Sequence, residues 1–129
     1  MIKVIGATIY ACEGTKQRVS TAGSKARRVE LCNSDKRIMR SFLEYLRTFS
    51  IDERKLRARV FLHADNDEQE SKEYWSQVTQ IPIGRFIKTS WRKPSIRTKK
   101  RLPFGTCAVR YGDAHVFKKI VADIDMLFH

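Results

Sequence analysis

Glu13 closes a run of small and apolar residues, Gly6-Ala7-Thr8-Ile9-Tyr10-Ala11-Cys12-Glu13-Gly14, and that setting decides what chemistry its carboxylate could do. Val4, Ala7, Ala11 and Gly14 stand at helical spacing, so on a helix they form one stripe. Small side chains along such a stripe let a second helix backbone come close. Ile2, Ile5, Ile9 and Cys12 form another stripe, apolar and suited to a core. Glu13 falls in the last turn, where the helix dipole disfavours negative charge. A helix of this kind packed on its own copy would bring two carboxylates together, which is unfavourable unless they hold a cation. The same residues also fit a small-residue helix that merely ends on a glycine C-cap.

The elements needed to position such a group can be read along the chain. After the first helix, residues 17–22 and 27–32 alternate and are joined by Gly23-Ser24, which predicts a hairpin. Its Val19, Val29 and Leu31 suit a core, while Arg18, Ser20, Arg28 and Glu30 suit the opposite face. Asn33-Ser34-Asp35 offers N-caps for a helix whose Ile38, Phe42, Leu46 and Phe49 share a face. Residues 57–63 have period two: Ala58, Val60 and Leu62 point one way, and Arg57, Arg59, Phe61 and His63 the other. Asp65-Asn66 caps a third helix carrying Tyr74, Trp75 and Val78, which Ile81-Pro82 ends. Residues 85–92 and 105–111 read as strands around a basic loop, and Asp113 caps a last helix with Val116, Phe117, Ile120, Val121, Ile124, Leu127 and Phe128 on its apolar face. Trp75 suits core packing, whereas Trp91 could stack on a base.

With 129 residues, the chain has room for one domain, 1–129, with one core. Its net charge of +12 is segregated. No acid occurs between Glu13 and Glu30 or between Glu73 and Asp113, stretches rich in Lys and Arg. Segregation of this kind is the footprint of a polyanion-binding face. A solvated basic surface, or an acidic protein as partner, is the plainer reading. No apolar run approaches a membrane span, and no signal peptide precedes the first helix. Cys12, Cys32 and Cys107 are odd in number, scattered and set in apolar patterns, so buried thiols in a reducing compartment are expected. That places the protein inside the cell, cytoplasmic or nucleoid-associated, with no membrane partner. His63, His115 and His129 show no ligand spacing, and no nucleotide loop, nucleophile elbow or paired-cysteine zinc site is present.

The opening segment resembles the LAGLIDADG helix of homing endonucleases. Ala7, Ile9 and Gly14 match in identity or type, Glu13 stands where the motif has its last acid, and Thr8 replaces the inner glycine. Residues 10–16, Asn33-Ser34-Asp35, 75–88 and 101–109 resemble a group of bacterial LAGLIDADG-like proteins, and the likeness spans about residues 4–128. The resemblance implies an α+β fold of the LAGLIDADG αββαββα plan, here with an inserted helix: a curved antiparallel sheet with helices on one face and DNA on the other. It implies a homodimer through Val4, Ala7, Ala11 and Gly14, since the chain holds one copy of the motif. The expected function is a homodimeric, sequence-specific DNA endonuclease of the homing type using Mg²⁺. Glu13 and Gly14 are then at the metal, with Glu13, Asn33 and Lys88 (or Lys16 in place of Lys88) serving catalysis. The DNA-binding set is Lys16, Arg18, Ser20, Lys25, Arg27, Arg28, Arg57, Arg59, His63, Arg92, Lys93, Arg97, Lys99, Lys100 and Arg101. Double-stranded DNA and a second copy are the expected partners. Glu in place of Asp at position 13 keeps a non-cleaving DNA-binding regulator on the same fold open. Because some members of the family assist intron splicing and the basic loop 93–101 suits RNA equally well, an RNA-binding splicing helper stays open too.

Overall fold

Alternation seals one face of a sheet. Leu56, Ala58, Val60 and Leu62 are at most 1% exposed, while the intervening Arg57, Arg59, Phe61 and His63 are only half-buried. That is the pattern of a strand with one side packed and one side open. The computed structural model describes residues 1–14, 28–93 and 102–128. Among these, the chain runs α1 (Ile2–Glu13), β1 (Val29–Asn33), α2 (Lys36–Arg47), β2 (Leu56–His63), α3 (Glu68–Thr79), β3 (Ser90–Arg92), β4 (Thr106–Tyr111) and α4 (Ala114–Phe128). Short 3-10 turns precede β2 and follow α3.

The fold is α+β, with a four-stranded sheet in the order β1-β4-β2-β3. β4 pairs antiparallel with both β1 and β2, so Leu31, Val109 and Ala58 line up across three strands, as do Glu30, Arg110 and Arg57. β2 and β3 are parallel. The expected all-antiparallel sheet is therefore corrected at one edge: α3 carries the chain back across the sheet, and a strand that follows such a crossover runs with its predecessor. The strand expected over 85–92 is also shorter, because Pro82 opens the turn Ile83–Arg85 and Phe86 makes only an isolated bridge to Ala58. The strand expected over 17–22 lies outside the described residues.

One hydrophobic cluster joins the sealed side of the sheet to all four helices. Ala7 and Tyr10 come from α1, Phe42 and Leu46 from α2, Trp75 from α3, and Val116 and Ile120 from α4. Each fully buried leucine or phenylalanine contributes roughly 1.5–3 kcal/mol. α2 starts as its sequence requires: the Asp35 side chain accepts a hydrogen bond from the Arg37 backbone N–H at 2.8 Å. Gly105, at φ +66°, starts β4 where a Cβ would lie 2.3 Å from the Phe61 carbonyl oxygen, so only glycine brings the two strands this close.

The first helix turns differently from the expectation. Its buried residues are Gly6, Ala7 and Tyr10, while Ile2 and Ile5 are about two-fifths exposed and Cys12 is exposed. Tyr10 stacks on Phe42 with ring centroids 5.5 Å apart, and a Cβ on Gly6 would fall 2.1 Å from Tyr45 Cγ. The small residues thus admit the chain's own tyrosines. The apolar face of α4 is likewise split: Val116 and Ile120 are buried, whereas Val121, Leu127 and Phe128 are exposed. No helix among the described residues is long and apolar enough to cross a membrane.

Candidate nucleic-acid interface

The open face of the sheet is built by the residues that alternate with the core. Register places Glu30, Arg110 and Arg57 in one row, Cys32, Ala108 and Arg59 in the next, then Thr106, Phe61 and Ser90, and finally His63 beside Arg92. Four arginines therefore stand with a single carboxylate on this face among the described residues. None of the packed helices covers it. Burying so many unpaired charges under another layer would be prohibitive, which is why this side stays open.

Glu30 offsets one corner. It lies 3.3 Å from the Arg28 Nε and 3.9 Å from an Arg110 terminal nitrogen. Arg57 donates to the carbonyl oxygens of Arg54 and Leu56, which fixes its guanidinium at the strand entrance. The Nε atoms of Arg59 and Arg110 are buried without a hydrogen-bond partner among the described residues. Unsatisfied donors of this kind are costly unless something in front of the face pairs with the guanidinium. Arg92 lies over the Phe61 ring, 5.0 Å from its centroid. Burial pushes the Cys32 thiol up, against the pull of nearby Arg92.

Of the residues expected to bind DNA, Arg57, Arg59, His63 and Arg92 share the open face, and Arg28 and Lys93 are exposed at its ends. Lys16, Arg18, Ser20, Lys25, Arg27, Arg97, Lys99, Lys100 and Arg101 lie outside the described residues. Arg110 belongs to the face but is missing from the expected set. The alternation of Cys107, Val109 and Tyr111 on β4 marks its side, yet the apolar Ala108 on that same side masks the pattern.

The expected metal and catalytic group is not assembled within one chain. Glu13 is exposed at the end of α1, and Gly14 continues in extended conformation, φ −75° and ψ 157°, to bridge Leu31 of β1. Gly14 is therefore not a left-handed cap; it is glycine because a Cβ would meet Tyr10 Cδ1 at 2.4 Å. Asn33, at the far end of β1, uses its Oδ1 to accept the Asp35 N–H at 2.8 Å, a local turn ahead of α2. Lys88 is exposed beyond β2, where Ile87 N donates to Ala58 O. That is three strand spacings from β1, on the order of 14 Å, so Lys88 does not accompany Glu13 in the same chain. No group of three or more His, Cys, Asp or Glu residues that could hold a metal occurs among the described residues. Ala7 is fully buried in its own core and is removed from the expected contact between copies; Val4 is 48% exposed and Ala11 half-buried.

Comparison with protein-family models, with curated proteins and with solved structures returns no match.

Proposed function

We propose that this chain is a LAGLIDADG-like DNA-binding protein that acts as a homodimeric, Mg²⁺-dependent, sequence-specific endonuclease of the homing type. The observation that carries the reading is the open sheet face, where among the described residues Arg57, Arg59, Arg92 and Arg110 stand against Glu30 alone. Duplex DNA presents a negative charge about every 1.7 Å along its axis, and a strand-built surface can enter its major groove. Once α3 and β3 are set aside as the insertion, α1, β1, α2, β2, β4 and α4 fit six of the seven elements of the αββαββα plan; the seventh, the strand expected over 17–22, lies outside the described residues.

Glu13 is the acid assigned to cleavage. Mg²⁺ takes one or two carboxylates and completes its shell with water and phosphate, so one Glu13 from each of two copies is a sufficient protein contribution. Bound there, the ion would activate water and stabilise the leaving oxygen. Self-association has a candidate surface in the exposed Ile2, Val4 and Ile5 of α1, beside the exposed Val121 and Met126 of α4. α1 and α4 are tied together by Lys3 and Asp123, 3.8 Å apart.

A second reading, a regulator that binds duplex DNA without cutting it, is favoured by one observation. Gly6, Ala7 and Gly14 are small because of Tyr10, Tyr45 and the chain's own core, so the small stripe no longer demands a second copy against it. The two readings separate when bound fragments are selected from random duplex DNA with and without Mg²⁺, and both bound and cut ends are sequenced. The endonuclease cuts at its selected site, and Glu13→Gln abolishes cutting while sparing binding. In EDTA this variant should melt slightly higher, because a carboxylate leaves a helix C-terminus. Specific binding with no cut ends would instead establish the regulator. Preference for structured RNA over duplex would support the splicing helper.

A further inference from the structure

The two ends of the open face differ in chemistry. At the Glu30 end the side chains are guanidinium and carboxylate groups with a small apolar floor at Ala108. At the β3 end stand a ring, an imidazole and a guanidinium: Phe61, His63 and Arg92. Arg92 reaches diagonally across β2 to lie 5.0 Å from the Phe61 centroid. Trp91 alternates to the other side of the edge strand and is not part of this group.

This end is also the one that α3 buttresses. Asn66, just before α3, accepts the His63 N–H at 2.9 Å and donates to the carbonyls of Leu102 and Pro103. Trp75 on α3 donates its Nε1–H to the Phe104 carbonyl at 2.9 Å, and Tyr74 stacks on Phe104 at 4.2 Å. Gly105 then seats β4 against the Phe61 backbone. The helix that interrupts the αββαββα plan thus fixes the end of β2 that carries Phe61 and His63, and the approach to β4.

We propose that Phe61 and Arg92, with His63 beside them, form a stacking seat for an unpaired base of the bound DNA. A fully paired duplex shows only base edges in its grooves, so a ring with a guanidinium over it gains little from it. An unpaired base offers a π-face, which stacks on aromatic rings and on arginine planes. The arginine-rich rows hold the flanking phosphates, and the Phe61–Arg92 pair holds the arginine plane ready for the base. The inference rests on the reading of this face as a DNA-binding surface.

The test compares binding of a short duplex with binding of the same duplex carrying unpaired thymines in one strand, using the full chain. The wild type should bind the second about five- to 150-fold more tightly, the range that one stacked base supplies. Phe61→Leu removes the ring and Arg92→Lys removes the plane while keeping the charge. Each should erase the preference and leave the melting temperature unchanged, and Phe61→Leu, which removes no charge, should also leave the affinity for paired duplex unchanged. Phe61→Tyr should retain the preference. Equal affinity of the wild type for both duplexes overturns the stacking seat, as does a preference that survives both substitutions. Loss of binding to either duplex at low salt would overturn the DNA reading of the face itself, a result distinguishable from the other two.

Discussion

The two faces of the sheet come from the same strands and have opposite fates. On β2, Leu56, Ala58, Val60 and Leu62 are sealed under the helices, and Arg57, Arg59, Phe61 and His63 look outward. The sealed face is bound by volume, since each residue there fits only at its present size. The open face is bound by charge, and its residues can change with little effect on folding. The difference separates stability from function along single strands: adjacent residues should answer different assays.

The largest expected effect is on the sealed face. Leu62→Ala should lower the unfolding free energy by about 2–5 kcal/mol, whereas Arg59→Gln, on the open side of the same strand, removes a buried donor without a partner among the described residues and should not lower it. Denaturant titration of both variants checks this, and comparable losses would dissolve the distinction. A smaller effect probes the sealed side from α1. Gly6→Ala would place a methyl 2.1 Å from Tyr45 Cγ, and Tyr45 is held by its hydrogen bond to Asp123 at 2.6 Å. Overpacking should cost about 1–3 kcal/mol and leave DNA affinity unaltered. A Gly6→Ala variant as stable as the wild type would show that α1 packs in another rotation.

The smallest effect concerns acid. The Arg37 side chain beside Asp35 holds that carboxyl at about 2, below its usual range, and Arg54 lowers Asp52 in the same way. Because the folded value is the lower one, the contribution is complete above the unfolded value of roughly 3.9 and is lost as pH falls through about 2. The melting temperature should therefore decline from about pH 4 towards pH 2, and less steeply in Asp35→Asn. Identical pH profiles would remove the cap from the account.

The same contrast explains what the sequence reveals. β2 is legible because strict alternation of Leu, Ala and Val with Arg, Phe and His leaves one choice of face, and α2 is legible because Asp35 marks its start. α3 is capped by Asp67 and not by the expected Asp65-Asn66, because Asn66 instead accepts the His63 N–H. α1 is not legible in this way. Ile2, Val4, Ile5, Ile9 and Cys12 put apolar side chains on nearly every side, so periodicity cannot choose a face. Shape chooses instead, through Gly6 under Tyr45 and Gly14 under Tyr10. Arg110 hides behind Ala108, and the parallel edge hides because β3 is only three residues long. The carboxylate of Glu13 is legible as an oddity at a helix end, but a second copy of the chain lies beyond what one sequence can place. Asn33 and Lys88 look similar as polar residues, yet one closes a turn before α2 and the other stands across the sheet.

The central claim is that the open face, and not basic charge at large, holds DNA. It is tested most directly by the salt dependence of duplex affinity for the wild type and for a variant with Arg57, Arg59 and Arg110 changed to Gln. The account predicts a steep fall of affinity with salt in the wild type, and a log–log slope reduced in magnitude by roughly 0.9 for each phosphate that the variant no longer neutralises. An unchanged slope in a folded variant would contradict it.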